Sequence, residues 1–121
     1  MFRENYNLDE ETAYKLTAGL GGGFRSGEVC GAISAAILVV GLKHGQSKAD
    51  DLNAKVNCNA KTIEFINRFR ETNETIICRE LLGVDPSTEE GRKYAQENNL
   101  FRQKCDEIVK TAISILEESG Y

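Results

Sequence analysis

Between Val29 and Leu42 the chain leaves no room for a polar face. Val29, Ala32, Ile33, Ala35, Ala36, Ile37, Val39 and Val40 cover every side of the helix that their spacing predicts from about Gly27 to Lys43. A helix of this kind is stable only when neighbours pack it on several sides, so the rest of the chain must supply them. The most apolar run, Ala32 to Leu42, is also well short of the ~20 residues that span a bilayer, and it reads as a core helix.

The neighbours are helical too. Nowhere is strand-like alternation sustained, and Pro86 is the only proline. Helix signals predict one segment from about Asp9 to Leu20, with Asp9 as N-cap and Ala13, Leu16 and Leu20 on one face. It stops at the glycines 21 to 23, and Ser26 is the predicted N-cap of the apolar helix. A third segment runs from about Lys48 to Glu71, with a buried stripe of Leu52, Val56, Ile63, Phe65, Ile66 and Phe69 and a weak point at Asn57-Cys58-Asn59. Short segments follow at about Ile76 to Leu82 and from Pro86. The last runs from about Phe101 to Glu118, burying Ile108, Val109, Ala112, Ile115 and Leu116. The expectation is an all-α protein, a compact bundle of about six helices around the helix at 27–43, with residues 1–121 forming a single helical domain.

A formal net charge of -4, with the basic residues scattered, argues against nucleic acid and against an anionic membrane surface as partners. Met1-Phe2-Arg3-Glu4-Asn5 has no apolar run of the secretory kind, so a cytoplasmic location is expected. Thiols are kept reduced there, and the four cysteines read as free thiols, metal ligands or reactive groups before they read as structural disulfides.

Those cysteines are Cys30, Cys58, Cys78 and Cys105. No CxxC or CxxCH is present, which excludes a zinc ribbon, a thioredoxin-type pair and covalent haem; any shared site must be assembled by the fold. Cys30 falls near the start of the apolar helix, where free N–H groups favour a thiolate, with Glu28 opposing. Cys78, read as third in a helix capped by Thr75 and next to Arg79, has the most favourable local surroundings for a thiolate. Cys105 lies early in the last helix between Lys104 and Asp106. Cys58 has no activating charge and shares a face with Phe65 and Phe69, so packing explains it best. Packing is the competing account of the other three as well.

Other motifs carry less. Gly22 to Gly27 has the glycine spacing of a phosphate loop, but Glu28 stands where lysine is needed and no strand precedes it. A tight interhelical connection is the simpler reading, and a backbone anion or ligand site at Gly22, Gly23, Arg25 and Gly27 the more specific one. His44, the only histidine, sits in the last turn of the apolar helix, where a cation suits the helix dipole.

Three segments together are more specific than any one cysteine. Gly21-Gly22-Gly23-Phe24-Arg25-Ser26-Gly27-Glu28-Val29-Cys30-Gly31-Ala32 is followed by Cys78-Arg79-Glu80-Leu81-Leu82-Gly83-Val84-Asp85 and by Asn99-Leu100-Phe101 with Cys105 four residues on. This pattern resembles the C_GCAxxG_C_C family of redox-active proteins, a domain also similar to part of split-Soret cytochromes, over Leu8 to Glu118. The resemblance implies a small helical fold and matches Cys30, Cys78 and Cys105 to family cysteines. Ala35 stands at the family's last glycine. The family's first cysteine, from a helix upstream of the region matching Asp9 to Leu20, has no counterpart in this sequence, and Cys58 lies elsewhere.

The reading that follows is a redox module in which Cys30, Cys78 and Cys105 converge, an oxidoreductase or electron-transfer component. As a thiol device, Cys78 is the attacking thiolate and Cys30 or Cys105 the resolving partner. As a metal site, the same three thiolates hold an iron–sulfur cluster or another soft metal, with a fourth ligand from elsewhere. A redox partner is implied, and a homodimer is compatible with it. The alternative is a non-catalytic helical interaction module whose cysteines only pack.

Overall fold

A computed structural model describes residues 1–121. The fold is all-α, with helices α1 (Glu10–Thr17), α2 (Gly31–His44), α3 (Leu52–Asn73), α4 (Cys78–Leu82), α5 (Glu89–Glu97) and α6 (Asp106–Glu118). A short 3-10 turn, Phe2–Tyr6, precedes them. Side chains cap three of the helices, and at α3 the cap is Asp51, so that helix starts at Leu52 rather than about Lys48. Asp9 accepts from Thr12 N at 2.9 Å, Asp51 from Ala54 N at 3.1 Å and Thr88 from Gly91 N at 3.0 Å. Gly83, at φ 80°, ends α4 in the left-handed conformation that glycine adopts without steric cost.

The core joins three helices. Ile33, Ala36 and Val40 come from α2, Phe65 and Phe69 from α3, and Ile108, Ala112, Ile115 and Leu116 from α6. Only Leu38, Leu42 and Lys43 of α2 are well exposed, as befits its central place. Arg68 fastens α3 to the end of α6, donating to Ser119 Oγ and Glu118 Oε2, each at 2.6 Å.

Several expectations need correction. The apolar helix begins at Gly31 rather than about Gly27, and Cys30 holds the cap position assigned to Ser26. α3 runs unbroken through Asn57-Cys58-Asn59, because Cys58 packs against the core on the same face as Phe65 and Phe69. Leu52, Val56 and Ile63 are exposed, not buried. They form a second stripe, and at 3.6 residues per turn Ile63 and Phe65 point about 200° apart, so the two stripes cannot both face α2 and α6. No residue of α1 is buried, and Leu16 is exposed. Val109 is also exposed, beside the buried Ile108.

Candidate functional site

The backbone around the glycines does something no helix pattern would suggest. Gly22, Gly23, Phe24 and Arg25 are consecutive left-handed residues, with φ of 66°, 61°, 59° and 59°. For the two non-glycine residues that conformation costs roughly 1–2 kcal/mol each. The turn leads into residues 28–30, with Val29 in a β-bridge at their centre. Gly23 is buried there, and a Cβ on it would come within 2.7 Å of Glu28 O. Gly31 lies against the exit of α1, where a Cβ would meet Leu20 O at 2.7 Å. Both glycines are required by close backbone approach.

Residues 28–30 pair with a second segment just before α4. Val29 and Ile77 form an isolated antiparallel bridge. Cys30 N donates to Ile76 O at 2.8 Å, and Cys78 N donates to Glu28 O. Because side chains alternate along paired strands, Cys30 and Cys78 project to the same face as diagonal neighbours, a relation that spans about 7–8 Å or somewhat less. The third cysteine arrives from the other side. Phe101–Cys105 forms a π-type turn leading directly into α6. Lys104 Nζ donates to Leu82 O at 3.1 Å and fastens that turn to the end of α4.

Cys30, Cys78 and Cys105 therefore line one cavity of about 250 Å³ at the N-terminal ends of α2, α4 and α6. Its walls include Leu20, Gly21, Gly22 and Phe101. All the cysteines are free thiols. Cys78 is buried, while Cys30 and Cys105 are partly exposed. Cys58 lies apart, packed on the α2–α3–α6 core.

The electrostatics reverse the ranking of Cys78 as the favoured thiolate. Burial first, and then negative charge on Cys30, Cys105 and Asp85, together push its thiol up to about 11. Arg79 gives it no help. Its guanidinium points to the glycine turn, where Nη1 donates to Gly27 O at 3.0 Å and pairs with Glu28 Oε1 at 2.9 Å. Nor does Thr75 cap the helix: α4 starts at Cys78 itself, and Thr75 Oγ1 accepts from Ile77 N and donates to Glu80. The Cys105 thiol is also raised, by burial first and then by Cys30 and Asp106. Lys104, bound to the Leu82 carbonyl, is spent elsewhere.

The remaining candidates separate from the thiols. Of the proposed anion or ligand site, Gly22 edges the thiol cavity, while Gly23 and Gly27 are buried in the turn and Arg25 is exposed. Two N–H groups of the region are already used, Phe24 N on Leu20 O and Glu28 N on Gly23 O. His44 sits at the far end of α2, edge-on to Tyr121 with ring centroids 5.5 Å apart. Burial first, then Lys43 and Lys61, lower its pKa, against the cation that a helix C-terminus favours.

As a metal centre the arrangement is incomplete. No group of three or more His, Cys, Asp or Glu side chains is placed to hold a metal ion. The three thiols share a cavity without their sulfurs forming a ligand set, and the lone histidine is at the opposite end of α2. No helix is long and apolar enough to cross a membrane.

The ribbon that sets Cys30 beside Cys78 was the least legible part. Its signal is slight: Val29 and the Thr75-Ile76-Ile77 run are β-branched, but each adjoins a helix start and reads as its first turn. The family model described as "Putative redox-active protein (C_GCAxxG_C_C)" matches residues 1–119. No curated protein and no solved structure matches the chain.

Proposed function

The chain belongs to the C_GCAxxG_C_C family of redox-active proteins, and from that premise we propose that it works by thiol–disulfide exchange, with Cys30 as the attacking sulfur and Cys78 as the resolving one. The observation that carries this is the convergence of Cys30, Cys78 and Cys105, from three separate stretches of chain, on one cavity. Cys30 takes the first role because it is partly exposed at the cap position of the fourteen-residue helix α2, open to an incoming disulfide. Cys78, protonated and buried behind it, has the features of a second thiol that acts only once a mixed disulfide has formed. Cys105 is the third thiol within reach of Cys30.

A Cys30–Cys78 bond needs Cα atoms within about 7 Å, which is the edge of the diagonal spacing, so a small approach of the two ribbon segments completes it. The pocket does nothing to stabilise a thiolate on Cys78, unlike strong oxidants whose reduced form is stabilised; this favours a low reduction potential and a role as electron donor. Metal or iron–sulfur binding, the other use of clustered thiols, would require the three sulfurs to close together around the ion and a ligand from outside this set.

The test is oxidation of the reduced chain with glutathione disulfide, followed by thiol counting in denaturant and non-reducing peptide mapping. Loss of two thiols with a Cys30–Cys78 linkage is the expected result, Cys58 remaining free. Retention of all four thiols, or oxidation led by Cys58, would mean that the cysteines only pack, as in a helical interaction module.

A further inference from the structure

The thiol cavity does not end at the cysteines. It adjoins a trough of about 210 Å³ between α2 and α6, whose lining is apolar throughout. Ala32, Ala35 and Val109 line both. From there the trough follows Ala36 and Val39 along one wall and Ala112 and Leu116 along the other. The two helices run in the same direction there, since low-numbered residues of each face the thiols. From Val109, the shared residue of α6, to Leu116 at 1.5 Å per residue the trough extends roughly 10 Å beyond the thiol cavity. Phe2, from the N-terminal 3-10 turn, forms part of its side.

Resting on the thiol-exchange reading above, we infer that the substrate is a disulfide bearing a linear apolar chain, which lies in this trough and presents its sulfur to Cys30. Alanines on both helices leave a narrow slot rather than a broad face, which suits a hydrocarbon chain better than a helix or a second protein surface. No charged or hydrogen-bonding side chain lines the slot, so nothing there rewards a polar tail. Its continuity with the thiol cavity ties this occupant to the chemistry.

The exchange balances without any further reactant. The Cys30 thiolate attacks the chain-bearing sulfur of R–S–S–R′, forming Cys30–S–S–R and releasing R′–S⁻. Cys78 then gives up its proton and attacks the Cys30 sulfur, breaking the mixed disulfide and releasing R–S⁻. The two departing thiolates end as two thiols, taking the two protons that Cys30 and Cys78 lose. The substrate is reduced by two electrons and the cysteine pair is oxidised to a disulfide.

Alkyl methanethiosulfonates test the chain directly, because a cysteine thiolate displaces methanesulfinate and retains the alkylthio group. Rates at Cys30, read by peptide mass as the alkylthio adduct together with the Cys30–Cys78 disulfide that its resolution leaves, and compared with the adduct on Cys58 of the same molecule, should rise about tenfold or more from methyl to hexyl, since each buried methylene is favourable. Ala35→Leu should flatten that rise. Ala35 lines both cavities and is not among the side chains packed on the core, so the added bulk projects into the passage. Should Ala35→Leu lose helical circular dichroism, Val109→Ser at an exposed position serves instead, by making the passage polar. A rate at Cys30 that is flat with chain length, or that rises no more than at Cys58, or a rise that survives the variants, overturns the inference. These reagents label a thiol whether or not it ever forms an internal disulfide. Failure here therefore leaves the redox reading standing, and failure of the glutathione experiment leaves the trough standing.

Discussion

The α2–α3–α6 core and the cysteine end of the same helices follow different rules. In the core, regular helices bury Ile33, Val40, Phe65, Phe69 and Leu116 with no unusual backbone. At the cysteine end the chain uses four consecutive left-handed residues, an isolated bridge and a π-type turn within a few residues of Cys30, Cys78 and Cys105. Packing alone gives no reason for such geometry, and local strain persists only where the surroundings impose it. The contrast separates what holds the fold together from what gathers the thiols. It also separates Cys58, which belongs to the first region, from the other three.

The sharpest way to break this comparison is to damage the core. Phe69 is fully buried, and Phe69→Ala should cost about 3–5 kcal/mol in urea unfolding, from lost burial plus the cavity left behind. A cost below about 1 kcal/mol would mean that the core region does not carry the stability assigned to it.

A somewhat smaller effect should come from the thiol region, and only in alkali. The folded chain holds the Cys78 proton to about 11, whereas the unfolded chain releases it near 9.0. Between those values the folded state binds more protons, so stability is intact below the window and falls as pH rises through it. At 1.36 kcal/mol per pKa unit the loss approaches about 2–3 kcal/mol. Cys105 and Tyr121, also raised by burial, act in the same direction. Urea midpoints from neutral to strongly alkaline pH should show the decline in the parent chain and less of it in Cys78→Ser. An identical decline in both would assign it to the other groups.

The two regions were also unequally legible. Apolar periodicity was enough to find the helices, to make the one at 31–44 central and to select Phe65, Phe69, Ile108, Ala112, Ile115 and Leu116 for the core. Periodicity reports a face, however, and not which of two faces finds a partner; hence Leu52, Val56 and Ile63 were misplaced. At the cysteine end the helix-start signals misled. Ser26 and Thr75 have the chemistry of caps, but the left-handed turn and the Val29–Ile77 bridge move both helix starts to the cysteines themselves. Those features depend on tertiary pairing between segments nearly fifty residues apart, which no local pattern encodes. The same pairing buries Cys78 and turns Arg79 toward Gly27, so a thiol that looks activated in sequence is the one most strongly held protonated.

The smallest effect on stability should accompany the largest effect on redox behaviour. Cys30 is partly exposed, its side chain makes no capping hydrogen bond, and serine is a good cap residue of nearly the same size. Cys30→Ser should therefore shift unfolding by no more than about 0.5 kcal/mol. It should nevertheless abolish the intramolecular linkage to Cys78, because Cys30 is the sulfur whose charge both Cys78 and Cys105 would feel. Cys58→Ser gives the reverse outcome: a measurable loss of stability from the core edge, with the linkage unaffected. Unfolding in urea and non-reducing mass analysis on the same two variants decide the matter. If Cys30→Ser destabilises the chain as much as Cys58→Ser does, or if the oxidised Cys30→Ser chain still closes a disulfide through Cys105 and Cys78 at the parental rate, the thiols are not ordered around Cys30.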